Sequence, residues 1–308
     1  MDKKTIVVIV LIPLILYVYS LITHVSLINA LESVKPEEYA YFIGAYMLQC
    51  YVLSIRDSYI VKRISKIKIS RLYAFRARVA SNFIGFIIPG TVGGDLTRAL
   101  YYQRKGAKVH ESFASSLIEA FFDGIAGNGL YIFLFLVFLN VGTVIFFLIA
   151  LANLIFWIAL VGYFHLSSRI NRVEAFLLSK LPINIDLNRF YSEFKGDFKK
   201  ISVYKEMVLI GIILTTIGYL IVAIPFIIYT NHYLTALLAN QLYQVASFIP
   251  IPGYAGITEL ALSSVLPPKN VIEVRYLEII NALTGIYGVK DIDINDLRNA
   301  INEIRVGN

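Results

Sequence analysis

The sequence predicts an all-α, polytopic transmembrane helix bundle, on the evidence of its composition, its charge-free runs and the charges between them. Of the 308 residues, 57% are hydrophobic and 16% charged, against about 25% charged in soluble domains. Thr5–Ala30, Thr143–Leu166 and Met207–Thr258 carry no formal charge, and a bilayer crossing needs about 20 apolar residues. Residues 1–266 are read as a membrane domain and 267–308 as an atypical charged C-terminal tail.

The first run follows Lys3 and Lys4. It is longer than the apolar part of a signal peptide and lacks a clear small-residue cleavage site, so it predicts a span. The positive-inside rule then places the N-terminus in the cytoplasm of a multi-pass cell-membrane protein. Glu32, Lys35, Glu37 and Glu38 make a net-negative outer loop, and Tyr39–Ile55 returns. The segment Arg56–Arg78, with eight basic residues against the single acid Asp57, reads as a cytoplasmic loop.

Val79–Gly94 is short, is interrupted at Pro89-Gly90 and is flanked by basic residues on both sides, which predicts a re-entrant segment. Non-helical backbone at membrane depth has to be buried in protein or line a cavity. Glu111–Leu139 then crosses outward, and Thr143–Leu166 returns to a loop with Arg169, Arg172, Lys180, Lys199 and Lys200. Met207–Thr230 crosses out again. Tyr233–Leu266 enters from outside and is broken at Pro250-Ile251-Pro252-Gly253.

The two broken segments share Pro-Gly-x-x-Gly followed shortly by a carboxylate: Pro89, Gly90, Gly93 and Asp95 in the first, Pro252, Gly253, Gly256 and Glu259 in the second. Opposed entry directions with a shared motif make them a candidate inverted repeat, an arrangement whose sites lie where discontinuous helices meet. The chemistry favours an anionic ligand. Gly93 and Gly94 permit close backbone approach, a helix starting at Leu96 would turn its N–H groups toward the break, and Arg76, Arg78 and Arg98 offer bidentate donors. Headgroup anchoring at the interface is the competing role for Arg76 and Arg78, and an ordinary N-cap the competing role for Asp95. Ser112, Ser115, Ser116, Glu119 and Asp123 fall on one helical face. Carboxylates inside a span face a bundle interior or water, so Glu119 and Asp123 are candidates for a polar pathway. The alternative is a helix that begins at the interface with Glu119 solvated.

Cys50 is the only cysteine and the four histidines are far apart, which excludes CxxC and HExxH metal sites. No cofactor is expected. The 28 basic residues against 21 acidic ones are explained by loops between spans, without nucleic acid as a partner.

Asn82, Pro89, Gly90, Gly93, Gly94, Asp95 and Arg98, with Glu119 and Asp123 beyond, resemble the first signature of the flippase-like membrane domain of lysylphosphatidylglycerol synthases; Ile249–Glu259 resembles its second. The resemblance implies a membrane protein handling lipid headgroups, flipping aminoacylated phosphatidylglycerol in some relatives and supporting polyprenyl-phosphate-linked glycosylation in others. Its departures are Ala120, where relatives often carry Arg, and Tyr254, in place of a Gly. Relatives usually continue with membrane helices where this chain has its charged tail. The expected activity is translocation of an anionic lipid or polyprenyl-phosphate-linked headgroup. The alternative is a membrane enzyme, with Asp95, Glu119 or Asp123 as base or metal ligand, or an accessory subunit of a partner transferase in lipid-linked glycosyl or aminoacyl transfer.

Overall fold

The computed structural model describes residues 3–88, 92–167 and 187–289. Pro89, Gly90, Arg169, Arg172, Lys180 and the segment 290–308 lie outside the described residues. Every regular element among the described residues is helical.

The first charge-free run is not one helix. α1 (Lys3–Ile22) stops at a turn where His24 takes φ 55°, and α2 (Leu27–Glu32) restarts with the Ser26 side chain accepting from Asn29 N–H. Thr23, His24 and Ser26 supply the turn and cap that a charge count overlooks.

α3 (Pro36–Ser65) starts with Pro at its first turn and Glu37 and Glu38 beside it, a favourable arrangement for the helix dipole. It does not end at Ile55. It runs through Arg56 and Asp57, both fully buried, and closes at Lys66 in the left-handed conformation. The loop expected from Arg56 to Arg78 therefore shrinks to residues 66–70 before α4 (Arg71–Ile87), which Ser70 caps. The charges stay inside because they pair with one another rather than with water.

α4 and α5 (Val92–Arg104) run antiparallel: the Tyr73 hydroxyl donates to the Tyr101 carbonyl at 2.7 Å, and Gly85 meets Gly94 at the other end. A Cβ on Gly94 would lie 2.9 Å from the Ser81 carbonyl oxygen, so the approach needs the bare backbone. Because α5 begins at Val92, Asp95 is not the N-cap of a helix starting at Leu96; it lies in the first turn.

Among the described residues, three helical stretches are long and apolar enough to cross a membrane: α6 (Val109–Phe138), the stretch Val141–Leu166 that contains α7 (Val144–Leu166), and Lys205–Thr230. The last comprises α9 (Lys205–Ala223) and the turns that extend it. Only 17% of the apolar window in Val141–Leu166 is buried, which makes α7 a lipid-facing helix. Between α7 and α9, α8 (Leu187–Val203) packs Phe194 and Phe198 on Phe164. His110 Nδ1 meets Asp197 Oδ2 at 2.6 Å, tying α8 to the start of α6, and Lys200 Nζ, on α8 itself, meets Asp197 Oδ1 at 2.6 Å. Burial alone raises the Asp197 carboxyl, but its hydrogen bonds with His110 and Lys200 outweigh that and hold it below its ordinary value.

The second broken segment is α10 (Tyr233–Ser247), a tight turn at Pro252–Tyr254, and α11 (Ile257–Ser263). Beyond it, residues assigned from their charges to the tail form α12 (Pro268–Leu283) and the short α13 (Ile286–Val289). α12 is built into the bundle: Val271, Val274 and Leu277 share a core with Phe42, Phe226, Ala236 and Leu262.

Candidate functional site

Two observations locate the site. The broken segments touch, with the Phe86 and Tyr254 rings 5.9 Å apart and edge-on. Beside them is a cavity of about 300 Å³. Tyr46 and Gln49 of α3, Asn82 and Gly85 of α4, Asp95 and Arg98 of α5, Ala120 and Asp123 of α6, and Glu278 and Asn281 of α12 contribute to its wall.

The wall on one side is a connected ion network. Arg56 reaches Asp57 at 2.9 Å and Asp123 at 2.6 Å, and its third partner is the Thr215 hydroxyl at 2.5 Å. Arg78 bridges Asp57 at 2.8 Å and Asp123 at 2.9 Å. Arg98 pairs with Asp95 on its own helix and lies 2.8 Å from Glu119, which also accepts from the Tyr102 hydroxyl at 2.7 Å. Glu119 is fully enclosed, so it is not solvated at an interface. Pairing of this kind is what makes buried charge tolerable.

On the other side, Glu259 lies in the first turn of α11, accepting from Gly256 N–H at 2.7 Å. Arg275 of α12 reaches Glu259 at 2.8 Å and also donates to the Gly253 carbonyl. Gly253 takes φ 58°, and a Cβ there would fall 2.3 Å from Ile12. Pro252 opens the turn, its carbonyl accepting from Ala255 N–H at 3.3 Å.

Of the residues expected from sequence, Asn82, Gly94, Asp95, Arg98 and Asp123 line the cavity. Asn82 donates to the Tyr46 hydroxyl at 3.0 Å. Glu119 lies one layer behind the wall, and Gly93 packs against Ile88, which leaves it no room for a side chain. Gly253, Gly256 and Glu259 brace the second break rather than line the space. Of the polar stripe, Ser116 donates to the Asp95 carbonyl at 2.7 Å, while Ser112 and Ser115 are buried beside it.

Sequence reasoning missed Arg56, Asp57, Arg275 and Glu278. The signal for the first two was present: Ser58-Tyr59-Ile60-Val61 continues an apolar helix past the charged pair. For α12, Val271, Val274 and Leu277 recur at helical spacing around Arg275.

The sequence profile of the lysylphosphatidylglycerol synthase TM region matches residues 5–271. No curated protein matches the chain. The profile spans both broken segments, α3 with its buried Arg56-Asp57 pair, and the start of α12; the chain belongs to the lysylphosphatidylglycerol synthase TM-region family.

Proposed function

We propose that this protein binds a membrane lipid with an anionic, phosphate-bearing headgroup in the cavity between its two breaks and carries that headgroup across the bilayer. The family relates it to lipid modification or translocation in a membrane; the finer reading rests on the site. The observation that carries it is a cavity inside a membrane bundle, at the meeting point of two discontinuous segments, whose wall sets Arg78, Arg98, Asp95 and Asp123 among apolar side chains. Intramembrane ionisable groups are costly and mark substrate paths. Broken helices placed at such a point are how transporters build midplane sites. A volume of about 300 Å³ suits a headgroup and leaves the acyl chains in lipid. In this reading α4–α5 and α10–α11 form an inverted pair, and the N-terminus is cytoplasmic in a cell-membrane protein.

Purified protein in liposomes is expected to move fluorescent phosphatidylglycerol between leaflets, and the double variant Asp95→Asn, Glu259→Gln is expected to lose that rate. A double variant as fast as the wild type removes these two carboxylates from the mechanism. No movement by the wild type removes the transport reading.

A further inference from the structure

We propose that a phosphate-bearing headgroup enters this cavity together with a proton, which Glu119 takes up. The inference rests on the lipid-binding reading above and names what accompanies the lipid.

It starts from the charges of the network. Among the described residues its cations are Arg56, Arg78 and Arg98, and its carboxylates are Asp57, Asp95, Glu119 and Asp123. Each guanidinium already faces a carboxylate. Across the cavity Arg275 faces Glu259, with Glu278 on the same helix, so that side adds no excess of cation among the described residues. A phosphodiester brought to Arg78 and Arg98 adds a further negative charge to a wall whose carboxylates outnumber its arginines. Uncompensated charge in a low-dielectric interior is strongly unfavourable, and neutralising one carboxylate restores the balance of the empty cavity. The step is an acid–base one: a hydronium ion of the solution loses a proton, its O–H bond breaking as an O–H bond forms on the carboxylate and leaving water, and Arg98 turns from that carboxylate to the phosphate oxygen.

Geometry selects Glu119. Asp57 and Asp123 each hold both Arg56 and Arg78 at 2.6–2.9 Å. Glu119 has one close guanidinium, Arg98 at 2.8 Å, with Arg78 at 3.7 Å. Asp95 keeps 21% of its side chain exposed, whereas Glu119 keeps none. The groups that face Glu119 are Asp57 and Arg56 on α3, Arg78 on α4, Asp95, Arg98 and Tyr102 on α5, and Asp123 one turn along α6; Tyr219 of α9 donates to the Asp123 carbonyl at 3.1 Å. Tyr102 already donates to Oε1, so a proton has its place on Oε2, the oxygen that Arg98 vacates.

A short-chain phosphatidylglycerol tests this, because its phosphodiester stays singly charged around neutral pH and any pH dependence belongs to the protein. Its Kd for the purified wild type is expected to rise about tenfold per pH unit above the Glu119 titration, the slope for one proton. Calorimetry in two buffers of different ionisation enthalpy is expected to read about one proton taken up per lipid. Glu119→Gln is expected to bind with a Kd that does not vary with pH. Flat wild-type binding without proton uptake overturns the coupling and leaves lipid binding intact; a Glu119→Gln protein that keeps the full slope overturns the assignment to Glu119. If that variant does not fold, the wild-type calorimetry still decides the coupling. No binding at any pH overturns the underlying reading instead.

Discussion

Asp57 shows how far one side chain reaches in this molecule. It is fully buried and holds two arginines from two helices, Arg56 beside it and Arg78 on α4. Asp57→Ala leaves both guanidinium groups short of a partner in the interior, and breaking a buried pair by removing one member costs about 3–5 kcal/mol. Arg63 and Glu206 form a pair of similar geometry at 3.0 Å, with side chains 38% and 75% exposed; there water screens the pair, and Arg63→Ala is expected to cost far less than Asp57→Ala. Thermal unfolding of the two variants in detergent measures the contrast, and equal losses would mean that the network is not sealed from water. A linear reading of the chain treats Arg56, Lys62 and Arg63 alike. What separates them is the carboxylate that each finds across helices, and sequence spacing does not record that.

At the scale of elements, the α4–α5 hairpin depends on backbone meeting backbone. A methyl group on Gly94 would lie 2.9 Å from the Ser81 carbonyl oxygen, and one on Gly85 would find its nearest atom at 3.5 Å. Gly94→Ala is expected to force the two helices apart, at about 1–3 kcal/mol for an overpacked contact, while Gly85→Ala is tolerated. Thermal midpoints of the two variants check this. The break between these helices was legible from Pro89-Gly90. The exact start of α5 was not, because Asp before Leu fits an N-cap and a first-turn position equally well. The turn inside Thr5–Ala30 was missed for a related reason: hydropathy is blind to a serine cap within an uncharged run.

For the whole molecule, the alternation of charge-free runs and charged loops was enough to yield a membrane bundle, and the spans α6, α7 and α9 fall close to where those runs predict them. The cavity was only half legible. Its motif residues announce themselves by glycine, proline and carboxylate, whereas Arg275 and Glu278 lie in a stretch whose charges read as an atypical tail until α12 is seen packed against Phe42 and Leu262. Orientation in the bilayer is open to direct test. Lys108 and Val141 are exposed at opposite ends of α6, a helix of 30 residues and so about 45 Å long. The sole native cysteine, Cys50, is buried, so reagents report on introduced ones. In intact cells an impermeant maleimide is expected to label Val141→Cys and spare Lys108→Cys; the reverse pattern would invert the proposed topology.

Tyr254 stands where the related motif carries glycine, and it takes φ 55°, a left-handed backbone that disfavours a side chain by about 1–2 kcal/mol. Its ring lies edge-on to Phe86 at one break and to Tyr243 of α10 on the other side. One ring thus packs the second break against the first, so a side chain that the backbone disfavours is the contact that joins the two broken segments.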